Sequence, residues 1–140
     1  MNKDSRWVNS IELDVPFYDC DPMGIVWHGN YLKYFEVARA ALLETVNFNY
    51  LAMAASGYLW PIVDIRVKYV HSCRLQQRLR ITAAISENEH RLRVDYQIAD
   101  AVSGEVMTKA HSIQVAVDQA SGEMCFVSPP VLLERLGVVP

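Results

Sequence analysis

The stretch Phe17-Tyr18-Asp19-Cys20-Asp21-Pro22-Met23-Gly24-Ile25-Val26-Trp27-His28-Gly29-Asn30-Tyr31 decides how this chain is read. Before it, Val8 to Phe17 alternates, with Ile11, Leu13 and Val15 on one side and Glu12 and Asp14 on the other. That pattern predicts a half-buried strand. After it, Leu32, Phe35, Ala38, Arg39, Leu42, Leu43 and Val46 fall near helical spacing, and Ala38, Ala40 and Ala41 favour a helix. The period changes from two to about 3.6 across the quoted residues. Asp21-Pro22 with Gly24 is turn chemistry, because Pro fixes one φ and Gly admits conformations closed to other residues. A carboxylate on a tight loop beside a helix start is placed to polarise a carbonyl, since free N–H groups and the positive end of the helix dipole point there. The plainer alternative is a strand-to-helix connection whose Asp and Asn only cap, with Asn30 as the N-cap or with Gly29 or His28 beginning the turn instead.

The 140 residues are 51% hydrophobic with a formal charge of −3, enough for one domain with a sizeable core and too few for two. The acidic balance gives no reason to expect electrostatic capture of nucleic acid or an anionic membrane. Basic residues gather from Arg66 to Arg80, with Lys68, Arg74 and Arg78 among them; a solvated sheet face or a phosphate patch both account for them. Cys20, Cys73 and Cys125 are odd in number and irregular in spacing, so they are no disulfide framework and fit a reducing compartment. No apolar run approaches the roughly 20 residues of a bilayer span, and Met1 to Trp7 lacks a secretory signal pattern. A soluble, cytoplasmic protein is expected. No cofactor is expected either, and a zinc site from Cys20, His28, His71 and Cys73 lacks the paired spacing such sites use.

Beyond the helix, Tyr50 to Ala55 reads as a short helix ended by Gly57, and Leu59–Val70 as a β-branched strand. Gln77–Ser86, Arg91–Ala99 and Glu105–Val117 alternate and are separated by turns at Asn88-Glu89 and Ser103-Gly104. Asp118 to Gly122 is a further turn, and Pro129-Pro130 opens a C-terminal helix through Leu136. One strand, one long apolar helix and several hairpin-joined strands predict an α+β fold with a largely antiparallel sheet wrapped around that helix.

The residues from Tyr18 to Arg39 resemble the signature of hotdog-fold acyl-CoA thioesterases, in the branch of 4-hydroxybenzoyl-CoA thioesterase and the YbgC-type enzymes. Asp-x-Asp-x-x-Gly ahead of a helix opened by Asn-Tyr carries the resemblance, and the Glu36 and Arg39 spacing agrees with the YbgC branch. The resemblance implies a single hotdog domain over 1–140. It puts the catalytic carboxylate at Asp21 and a backbone donor to the thioester oxygen at His28, whose ring is also implicated. Gly24, Val26, Trp27, Gly29, Asn30 and Tyr31 would line the substrate. The implied substrates are thioesters of coenzyme A or acyl-carrier protein, and the implied assembly is a homodimer or a dimer-of-dimers tetramer with sites between subunits. Gln76 and Gln77 depart from the pattern, standing where relatives often carry an acid; Trp27 and Gly29 sit where neighbouring members vary.

Asp19 is the rival acid, read as a loop-stabilising acceptor, and Glu36 with Arg39 as an intrahelical pair. Met53, Tyr58 and Trp60 are candidate walls for an acyl chain, with simple core packing as the more ordinary role. Against thioester hydrolysis stand a non-catalytic acyl-binding or scaffolding subunit and a hotdog dehydratase.

Overall fold

In the computed structural model, which describes residues 6–138, the change of period becomes strand β1 (Val8–Asp14) followed by helix α1 (Tyr31–Glu44). The strand stops short of Phe17 because Pro16 lacks an N–H, and Phe17–Asp19 turns into a 3₁₀ segment. Helix α2 (Tyr50–Ala55) follows, capped by the Asn49 side chain, which accepts from the Ala52 N–H at 2.9 Å. The strands are β2 (Tyr58–Leu59), β3 (Ile62–Tyr69), β4 (Arg78–Glu87), β5 (Leu92–Asp100), β6 (Val106–Gln114) and β7 (Val117–Asp118), and α3 (Pro130–Leu136) is the last element among the described residues.

Among the described residues the main sheet has the order β1-β4-β5-β6-β3, every pair antiparallel. Two expected long strands are each broken. Pro61 interrupts the segment expected over Leu59–Val70, and the segment over Glu105–Val117 breaks after Gln114. Their outer pieces pair as the separate ribbon β2-β7. Proline cannot donate to a ladder, and a break there lets both strands leave the sheet together.

Helix α1 lies across β1 and β4 on one face of the sheet. Its Phe35, Ala38 and Leu42 are buried with Leu79, Ile81 and Ile85 of β4 and Leu92, Val94, Tyr96 and Ile98 of β5. Each buried Phe, Leu, Ile or Val side chain among these contributes about 1.5–3 kcal/mol by leaving water. The helix ends in paired bonds from Phe48 N–H to Leu43 O (3.0 Å) and Asn47 N–H to Glu44 O (3.1 Å). Asn47 holds φ 58° there, the residue after glycine best suited to a left-handed C-terminal stop.

The opposite face of the sheet is polar. On its β1-β4 side Glu12 pairs with Arg78 and Arg80 at 3.3 and 3.2 Å. Strand β3 is an open edge carrying Val63 (56% exposed), Ile65 (37%) and Tyr69 (47%). An open edge that carries apolar side chains on one face is a template for pairing with another strand.

Candidate active site

The loop between β1 and α1 folds back on itself as a small hairpin. Cys20 bridges Val26, Asp21 N–H donates to Ile25 O (2.9 Å), and Gly24 N–H donates to Asp21 O (3.0 Å). Asp21, Pro22 and Gly24 thus take the residue types favoured at the first, second and fourth places of a tight turn, with Gly24 at φ 79°. The hairpin is stitched to the segment before β4: Val26 N–H reaches Cys73 O (2.9 Å), and Leu75 N–H reaches Gly24 O (3.0 Å).

Asp21 uses its Oδ1 to accept from the Met23 N–H at 2.9 Å, which orients the carboxylate. Among the described residues its Oδ2 has no donor, and the side chain is partly open to solvent. A carboxylate with one oxygen pinned and the other free is held ready for a bound electrophile.

Asp19 does different work. It is 2% exposed; its Oδ2 accepts the Tyr34 hydroxyl at 2.8 Å, and its Oδ1 pairs with the Lys33 ammonium. Its carbonyl takes two more bonds, from Trp27 N–H (3.0 Å) and Asn30 Nδ2 (2.9 Å). Burial pushes the Tyr34 phenol up, and the Asp19 carboxylate adds to the shift, so the hydroxyl stays a donor. Asn30, expected to cap α1, makes no cap bond; its side chain is spent on Asp19 O.

A 3₁₀ turn over His28–Asn30 leads straight into α1. Among the described residues, the N–H groups of His28 and Gly29 meet no acceptor. They stand at the entry to a helix of 14 residues, where partial positive charge gathers. The Tyr69 hydroxyl donates to His28 O at 2.8 Å, fixing the peptide from β3. Tyr31 is 2% exposed, and its hydroxyl accepts from Cys73 N–H at 3.0 Å. Val26 is 3% exposed, so both it and Tyr31 face the core of the single chain. Cys20 is held above the ordinary thiol range, first by burial and then by the charges of Asp19 and Asp21, which keeps it protonated rather than nucleophilic.

Trp27 and Gly29 form a matched pair. A Cβ on Gly29 would lie 2.2 Å from the Trp27 ring, so the indole rests where any other residue would place its side chain. The same ring, 52% exposed, meets the His28 imidazole with centroids 4.8 Å apart.

A cavity of about 450 Å³ opens beside α1 and α2, and Met53, Tyr58 and Trp60 line it together with Arg39 and Gln114. Arg39 is 3% exposed and pairs with Glu36 at 2.5 Å. Within this group Arg39 Nε and Gln114 Oε1 are buried without a hydrogen-bond partner. The cavity lies at the Ile62 end of β3, whereas Tyr69 and His28 meet at the other end, roughly 23 Å along a strand at 3.3 Å per residue.

Tyr69, Lys33 and Tyr34 were not among the expected site residues. Tyr69 is 41 positions from His28, and no spacing rule joins them. Lys33 and Tyr34 sit one turn into α1, where they pass for ordinary helix residues.

The antiparallel sheet around a central helix, with a carboxylate loop at that helix's entry, defines a hotdog thioesterase architecture. The chain belongs to the thioesterase-like superfamily, whose model matches residues 15–136. It is 34% identical over 115 residues to a putative acyl-CoA thioesterase, YneP, of Bacillus subtilis, covering 81% of this chain and 83% of that one. It is 26% identical over 113 residues to the acyl-CoA thioester hydrolase YbgC of Escherichia coli O6:H1, covering 81% of each. The crystal structure of a 1,4-dihydroxy-2-naphthoyl-CoA thioesterase from Synechocystis shares the fold with a TM-score of 0.81 at 19% identity, over 92% of this chain and 96% of that one.

The Trp27 and Gly29 pair yields a direct test. Gly29→Ala is expected to drive the indole aside, shifting tryptophan fluorescence and lowering thioesterase turnover. Adding Trp27→Ala to Gly29→Ala should restore turnover to that of Trp27→Ala alone. Two defects that simply multiply would show that ring and glycine act separately.

Proposed function

We propose that the protein hydrolyses acyl-coenzyme A thioesters, with Asp21 supplying the carboxylate and the His28 and Gly29 amides receiving the thioester oxygen. The observation that carries this reading is the pairing of a singly anchored carboxylate with two free N–H groups at a helix entry, in a chain of this superfamily. Water adds to the carbonyl carbon, the C–S bond breaks, and the products are a carboxylate, a proton and the coenzyme A thiol. Asp21 serves either by taking the proton of the attacking water or by attacking itself, forming a mixed anhydride that water then opens. In both routes negative charge grows on the carbonyl oxygen, where each well-aimed donor is worth about 2.7–4 kcal/mol. The His28 ring packs on Trp27 beside the same turn; in this reading it either orients the incoming water or leaves the work to its backbone N–H.

The β3 edge supports assembly as a homodimer. Antiparallel pairing of two such edges buries Val63 and Ile65 and carries the Tyr69 end of one chain to the Ile62 end of the other. Each His28 turn then sits beside the partner's cavity, and that cavity is our candidate for the acyl chamber. Further pairing of dimers gives the tetramer common to the family. Acyl-carrier thioesters present the same bond and remain the alternative donor. A cytoplasmic setting suits three free thiols.

A second reading, a non-catalytic acyl-binding subunit, draws on the same turn: every bond of Asp21 is one a structural turn residue makes. Turnover separates the two. Purified protein should release free thiol from acyl-CoA, read with a thiol-reactive dye, and Asp21→Asn should cut the rate by about 10²–10⁴-fold. The Asn oxygen still accepts from Met23 N–H, so circular dichroism should not change. Wild-type rates in that variant would remove Asp21 from the chemistry. Replacing Val63 and Ile65 together by Lys should yield monomers by light scattering and abolish turnover with the dimer. A monomeric variant of full activity would show that one chain suffices.

A further inference from the structure

The outer face of the sheet, opposite α1, holds a basin of about 310 Å³ bordered by Arg66 and Lys68 of β3, Lys109 and His111 of β6, and Arg93 and Asp95 of β5. The register sets these side chains in rows: Asp95, His111 and Arg66 lie across from one another, and Lys68 lies across from Lys109. Four permanent cations face one carboxylate here, in a protein whose net charge is −3. Arg93 is engaged with Asp95 at 3.0 Å. Among the described residues, Arg66, Lys68 and Lys109 make no ion pair, whereas Arg78 and Arg80 of β4 and Arg91 just before β5 do; Arg74, in the turn before β4, is also unpaired but lies outside the basin. Asp64, on the same face of β3, lies two residues beyond Arg66 and outside the basin.

Like charges gathered in a concavity repel one another and lower stability unless an anion joins them, and a cleft walled by protein focuses their field. Nothing in the fold calls for three unpaired cations in one basin. We propose that this basin binds the phosphate groups of the nucleotide end of coenzyme A, an assignment that rests on the acyl-CoA reading above. Lys68 and Tyr69 are consecutive, so the strand that holds the His28 carbonyl on its inner side presents a free ammonium on its outer side. In this proposal the substrate arm leaves the His28 turn past the Tyr69 end of β3 and its nucleotide end reaches this face. The basin is concave and has the size of a small ligand site, which suits a nucleotide better than the broad surface of a carrier protein.

The test compares Lys68→Glu/Lys109→Glu with the unaltered protein on an acyl-CoA and on the matching acyl-pantetheine, which has no phosphate. The expected result is a KM for acyl-CoA raised roughly tenfold or more at low salt, with kcat unchanged and acyl-pantetheine kinetics unaltered. Adenosine 3′,5′-bisphosphate should compete with acyl-CoA in the unaltered protein and lose that effect in the variant. An unchanged KM for acyl-CoA, or equal changes for both substrates, overturns the proposal. So does a rise in KM confined to acyl-carrier protein, which would make the basin a protein dock. If the unaltered protein cleaves neither thioester, the hydrolase reading fails. Calorimetric binding of adenosine 3′,5′-bisphosphate then still decides the basin, supporting it when binding is lost in the variant and sinking it when the unaltered protein binds none.

Discussion

The Asp19 carboxylate, buried beneath the loop between β1 and α1, is the contact on which the site depends. Removing a carboxylate from water costs several kcal/mol, and the cost is offset only where donors replace the lost hydration. Here the donors are the Tyr34 hydroxyl and the Lys33 ammonium, both on the first turn of α1. The Asp19 carbonyl meanwhile holds Trp27 N–H and Asn30 Nδ2. One residue therefore locks the loop to the helix at both of its ends. Asp21, two residues on, inherits its place from that lock, and so do the free amides of His28 and Gly29.

The two acids of the motif divide their labour through environment. Asp19 has its carboxylate consumed by the fold. Asp21 has one oxygen spent on Met23 N–H and one left over. The division leaves Asp21, and not the acid two positions upstream, with a carboxylate oxygen unspent. It also explains the loop's packing on Cys73 and Leu75: those bonds hold the Asp21 hairpin from the side that Asp19 does not reach.

Much of this architecture was legible in the residues. The alternation through Val15 and the helical spacing from Tyr31 announce β1 and α1, and Asp21-Pro22 with Gly24 announces the turn between them. Less legible was anything that depends on meeting across the fold. The broken strands at Pro61 and after Gln114 read as continuous because each half alternates correctly by itself. Asn30 reads as a cap because Asn at a helix entry usually is one; its amide goes to Asp19 because that carbonyl lies within reach. The fit of Trp27 over Gly29, the Tyr69 hydrogen bond and the gathering of Met53, Tyr58 and Trp60 around one cavity all need coordinates. The basic stretch from Arg66 to Arg80 divides across the fold: Arg78 and Arg80 pair with Glu12, Arg66 and Lys68 border the unpaired basin, and Arg74 lies in the turn between them.

The decisive measurement is a crystal structure of the protein with a non-hydrolysable acyl-CoA analogue. The carbonyl oxygen is expected about 2.7–3.1 Å from the His28 or Gly29 amide, with Asp21 Oδ2 facing the carbonyl carbon. An analogue bound with its carbonyl away from the α1 entry, and Asp21 turned to solvent, would contradict the roles given to Asp21 and these amides.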